Sequence, residues 1–148
     1  MKKYLLYILP LFLALAAGCS KNSPAPNIDY STIIPSGNFL GTFTLIHKSS
    51  STGKLDTGRA IITIAFTPSP SNYSVAGDTS KIQAPSHGSY TADGTLISFV
   101  DATVTKTTSP NTAKKHLSGS FFYTYDGSNL RIYGSSDTLS FNYQMAKY

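Results

Sequence analysis

From residue 38 to the end, apolar and polar residues alternate in short runs broken by glycine, proline and serine. The first run, residues 38–47, sets Phe39, Phe43 and Leu45 on one face and Thr42 and Thr44 on the other. A period of two is the mark of a strand with one buried face. Residues 59–67 align Ile62, Ile64 and Phe66, and residues 72–77 put Tyr73 and Val75 in phase. Residues 87–100 predict a hairpin around Asp93-Gly94, with Ile97 and Phe99 on one side of its second arm. Three more strands follow. Leu117, Gly119, Phe121, Tyr123 and Tyr125 alternate with Ser118, Ser120 and Thr124; Leu130 and Ile132 come after "DGSN"; Leu139, Phe141, Tyr143 and Met145 come after "GSSD". Phe122 stands out as an aromatic on the polar face.

Eight strands joined mostly by short turns, each with one apolar face, must close on themselves or protect their edges. The expected fold is all-β, an eight-stranded antiparallel meander barrel, with a β-sandwich as the alternative. Composition points the same way. The chain has no glutamate, its seven acidic residues are all aspartate, and β-branched and aromatic residues are plentiful. An eight-stranded barrel has an interior that side chains just fill or that holds one small ligand.

The N-terminus has a different pattern. Lys2 and Lys3 precede an apolar run from Tyr4 to Ala17, followed by Gly18 and the only cysteine, Cys19. A charged start, a short apolar core and a small-residue site make a secretory signal peptide over residues 1–18. At about 21 Å as a helix, the apolar run is shorter than a hydrocarbon core of roughly 30 Å. "LAAGC" resembles the lipobox of bacterial lipoproteins. That resemblance implies cleavage before Cys19, a diacylglycerol on its sulfur and an acyl chain such as palmitate on the freed amine. More than one chain suits the physics, because a single acyl chain holds a membrane only marginally. Residues 19–37, with Pro24, Pro26 and Pro35, read as a tether to a domain at 38–148. Ser20 after the cysteine resembles the outer-membrane form of the Gram-negative lipoprotein sorting signal, and no acids follow directly as in the lipoproteins sent to the outer face of the cell in one Gram-negative phylum; these resemblances imply an outer-membrane anchor facing the periplasm. Loss of Lys2 and Lys3 lowers the formal charge from +5 to +3. With lysines scattered through polar loops, that is not the balance of a nucleic-acid binder.

"GTF" at Gly41-Thr42-Phe43 resembles the glycine-x-tryptophan that opens the first strand of lipocalin-like (calycin) proteins, with phenylalanine in the tryptophan's place. The rhythm of "GSYTADGTLISF", "LSGSFFYTYDGSNLRI" and a closing "FNYQMAKY" is similar to the small lipocalin-like lipoproteins of Gram-negative bacteria. The resemblance covers residues 38–148 and implies a ligand-binding barrel. It also implies an arginine packed beneath the first-strand aromatic, for which Arg131 is the C-terminal candidate.

Catalytic chemistry finds little purchase in the sequence. His47, His87 and His116 lie far apart at strand ends, without the spacing of a metal site. Asp93, Asp126, Asp78 and Asp137 fall at turns. Asp101 differs, continuing the Ile97-Phe99 face so that it points inward near a barrel end. Gly41 and Gly119 share inward faces with large apolar residues, which suits a bend or an internal space. The expectation is a lipid-anchored envelope protein, not an enzyme and needing no cofactor or metal. It would bind a small apolar or amphipathic molecule between Phe43, Phe121, Tyr123, Phe141 and Tyr143, with Asp101 near the rim. The alternative is an interaction or scaffolding lipoprotein with a filled barrel, meeting a protein partner through loops or an exposed aromatic patch that includes Phe122 and Tyr148.

Overall fold

The computed structural model describes residues 34–78, 82–104 and 114–148. The signal peptide, Cys19 and most of the expected tether lie outside the described residues. Each alternating run is a strand: β1 (Gly37–Lys48), β2 (Leu55–Pro68), β3 (Ser71–Gly77), β4 (Ser86–Ala92), β5 (Leu96–Asp101), β6 (Gly119–Tyr125), β7 (Asn129–Ser135) and β8 (Leu139–Lys147). Neighbours in sequence pair antiparallel. β1 also pairs with β8, from Phe39 opposite Lys147 to His47 opposite Leu139, which closes the sheet into a barrel. Closure leaves no sheet edge to protect. The sandwich alternative falls.

Two boundaries differ from the sequence expectation. β2 begins at Leu55 rather than residue 59, because the polar stretch Leu55–Gly58 has a partner in Leu45–Lys48 of the long first strand. At the other boundary, residues 34–37 belong to the barrel and not to a tether. Pro35 is fully buried, and its carbonyl accepts the Tyr90 hydroxyl at 2.9 Å. A proline has no amide hydrogen to satisfy, so one good donor suffices for its burial.

The inward positions are filled by rings in continuous contact. Phe39 meets Phe66 and Tyr125 edge-on, with centroids 5.7 and 5.6 Å apart. Phe66 reaches Tyr90 and Phe99, and Phe99 reaches Tyr73 and Phe121. Such pairs add about 0.5–1.5 kcal/mol each beyond the area they bury. Gly41 makes closure possible. A Cβ there would meet the Gln144 carbonyl oxygen and come within 2.7 Å of the Met145 Cα, so β1 and β8 approach where only hydrogen fits. Gly119 serves differently, opening β6 at φ +101° with free space beside it.

Both ends are stopped. Pro35 sits at one. At the other, residues 82–85 before β4 and residues 114–118 before β6 bond to each other: Ala84 N–H to Lys115 O at 2.9 Å and Lys115 N–H to Ile82 O at 2.7 Å. Leu117 is fully buried beneath them, and its carbonyl accepts the Tyr73 hydroxyl at 2.5 Å.

Candidate functional site

Phe43, Phe121, Tyr123 and Tyr143 all point into the lumen and are buried, whereas Phe141 is partly buried against them. They meet one another rather than a hollow. Phe43 stacks on Tyr143 with centroids 4.4 Å apart, and Phe121 meets Phe141 at 6.2 Å. The Tyr143 hydroxyl donates to Gln83 Oε1 at 3.0 Å, while Gln83 Nε2 donates to the Ala84 carbonyl. The phenol and the amide are thus both satisfied deep in the mouth, as buried polar groups must be. Burial pushes the Tyr143 phenol well above its usual range, which keeps it a donor. Nothing in "KIQAPS" marked Gln83 as a core residue; its role exists only because residues 82–85 and 114–118 meet at the mouth.

Asp101 lies where its phase placed it, inward at the mouth, with its side chain fully shielded. The fold brings it a partner that the sequence reading had left apart. His116 Nδ1 is 2.7 Å from Asp101 Oδ2, and Oδ1 accepts both the Thr103 amide at 2.8 Å and the Thr103 hydroxyl at 2.6 Å. Burial works against ionisation of Asp101, but the bonds from Thr103 and His116 outweigh it and hold the carboxyl below its usual range. Tyr73 also faces this group. Desolvation first, and the Asp101 charge second, push its phenol far up, while the Ser86 hydroxyl beside it acts in the opposite sense. Ser86 Oγ is itself buried without a well-formed hydrogen bond. The carboxylate–imidazole pair has the makings of a general base. However, neither concavity described below includes Asp101 or His116. Its evident work is to fasten the β5–β6 connection to the rim. His47 and His87 stay apart, opposite Asp56 and Ser74, and no cluster of three metal-ligating side chains forms among the described residues.

One concavity lies on the outside of the wall. It is a half-open depression of about 950 Å³ across β1, β8, β7 and β6, reaching the β4–β5 turn at Gly94. Its side chains are the outward ones by strand alternation. Thr42, Gln144, Arg131 and Thr124 form one cross-strand row, and Leu40, Ala146 and Asn129 form the next. Lumen residues such as Tyr123, Leu130 and Met145 border it from the opposite face of the sheet. A smaller slot of about 200 Å³ opens between Leu96, Phe122 and Gly134, floored by Phe121 and Phe141. Arg131 is therefore not beneath Phe43. Its Nε donates to Asn142 Oδ1 at 3.1 Å and its guanidinium carbon lies 5.0 Å from the Tyr133 ring centre, all outside the barrel. The place the resemblance assigned to an arginine is taken by the Tyr143 ring.

Phe122 does what its phase required. It is 50% exposed, stacks on Tyr133 at 5.8 Å, and registers with Leu96 across β5. Tyr148 is also exposed.

This chain matches no known family model, no curated protein and no solved structure.

Proposed function

We propose that this chain is a lipoprotein held in the bacterial envelope by acyl chains on Cys19, at the outer membrane facing the periplasm, and that it binds a small amphipathic molecule without catalysis. The barrel is the rigid support, and the outer-wall depression is the binding site. One observation carries this reading. The depression is of ligand-pocket size, mostly apolar in lining, and has a few polar groups converging on it. The lumen rings pack on one another, as Phe43 on Tyr143 and Phe99 on Phe121.

The test is binding of a panel of fluorescent apolar and amphipathic probes to the full chain in lipid nanodiscs, with empty nanodiscs as the reference. Saturable binding that Ala146→Trp removes, and that Tyr143→Phe leaves in place, is the expected result. Binding insensitive to Ala146→Trp overturns the outer-wall site. Mass spectrometry of membrane-extracted protein reads the Cys19 modification separately.

A second reading, an interaction lipoprotein, is favoured by the contiguous outward surface of Leu96, Phe122 and Tyr133. It predicts a protein partner that Phe122→Ala releases.

A further inference from the structure

We propose that the ligand of the outer-wall depression is an anionic amphiphile whose carboxylate or phosphate head is held by Arg131, with its apolar part lying over Leu40 and Ala146. This rests on the depression being the binding site. Arg131 is one of only two arginines in the chain. Asn142 holds its Nε and the Tyr133 ring supports its plane, so the guanidinium is oriented without any charge partner. Among the described residues no carboxylate pairs with it. An oriented, solvent-facing guanidinium keeps its two terminal nitrogens for a forked contact, the geometry that suits carboxylate and phosphate. Gln144 and Thr42, in the row of the Arg131 backbone, add uncharged hydrogen-bonding groups on its other side.

The apolar half of the site lies one row from the Arg131 backbone. Leu40 is 48% exposed, Ala146 is opposite it across β8, and Met145 lies behind them. The guanidinium, held by Asn142 and Tyr133 on the far side of the Arg131 row, lies about two cross-strand rows from this shelf, roughly 14 Å along the strand, a span that matches a head and a medium-length chain in one molecule. One acid borders the site. Asp126 sits on the rim, but its Oδ1 accepts the Ser128 and Asn129 amides and its Oδ2 accepts Asn129 Nδ2. Those bonds turn its charge onto the turn, so the head belongs on the Gln144 side of Arg131.

Position in the chain also suits a ligand drawn from a membrane. Residues 19–33 lie between Cys19 and the described barrel, and fifteen residues reach at most about 50 Å. An acyl anchor at Cys19 would therefore keep the depression within a few nanometres of a bilayer.

The experiment is titration calorimetry of the full chain in lipid nanodiscs with octanoate, octanol and octylamine, against empty nanodiscs. Octanoate is expected to bind at least about tenfold more tightly than octanol or octylamine, and Arg131→Gln, an exposed substitution, to abolish that preference. Equal affinity for the three compounds overturns the anionic class and leaves the depression as a binding site. Loss of saturable binding for all three overturns the depression itself. A preference for octanoate that survives Arg131→Gln removes Arg131 from the role.

Discussion

Phe121 and Phe122 are the same residue twice, yet the fold leaves one 7% exposed and the other 50%. The same split runs through the neighbouring strands. Leu130 and Ile132 face in while Arg131 and Tyr133 face out; Tyr143 and Met145 face in while Asn142 and Gln144 face out. The lumen side consists of side chains that touch each other, and each can be explained by cohesion. The outer side carries an oriented arginine, the amides of Asn142 and Gln144, and a stacked aromatic pair, none of which closure of the barrel requires. That difference is what the proposed wall site rests on. A surface shaped only by solubility has no need to seat a guanidinium on a tyrosine ring.

The largest effect should come from breaking the inner side. Phe99 touches Phe66, Tyr73 and Phe121, and is 3% exposed. Phe99→Ala should cost about 3–5 kcal/mol, since a truncated core ring loses both its transfer energy and its contacts. Denaturant unfolding of the variant beside the parent chain measures this. A loss below about 1 kcal/mol would mean that the lumen collapses easily, and that the inner side is less tightly specified than its contacts imply.

The rim comes next, where inside and outside meet. Asp101→Asn keeps the shape but weakens the bonds to Thr103 and His116, and should cost about 1–3 kcal/mol near neutral pH. Because the folded carboxyl titrates below its ordinary value, its contribution is complete above the unfolded pKa of about 3.9 and is lost as pH falls through the lower folded value. The stability gap between parent and Asp101→Asn should therefore narrow on acidification below about pH 4. Asp93 and Asp126 are also held low by turn amides, Asp126 near 2, so the parent's acid curve alone does not isolate Asp101. The difference between the two proteins does. A gap that stays constant to pH 2 would assign the loss to packing rather than to charge.

How much of this was legible follows from which forces are local. Period-two alternation depends only on neighbours along the chain, and it placed Phe39, Phe43, Ile97, Phe99 and Tyr143 on the correct face. The turns were readable for the same reason, since Asp93 and Asp126 cap them with their own side chains. The Asp101–His116 pair was not readable. Its members lie on either side of a long connection, and only the folded barrel sets their distance. Gln83 escaped notice for the same cause. Arg131 was read from a family resemblance as an inner packing residue, although its own phase, between Leu130 and Ile132, already placed it outside. The wall depression was beyond sequence altogether, because its lining comes from four strands that only the closed fold sets side by side. Gly41 hinted at it only indirectly, by marking where β1 and β8 come together most closely.

The smallest effect in this series should come from Phe122→Ala. The ring is half exposed and packs mainly on Tyr133 across the sheet, a contact worth about 0.2–1 kcal/mol. Against Phe121→Ala, expected near 3 kcal/mol, this adjacent pair gives the sharpest test of the inside–outside contrast, since composition and chain position are nearly constant. Equal losses at the two positions, measured by the same unfolding experiment, would make Phe122 a structural residue and remove the reason to look for a partner on that face. A small loss leaves an exposed stacked ring whose cost to solubility stability does not repay. The same Phe122→Ala protein is the reagent that shows whether the proposed partner is released.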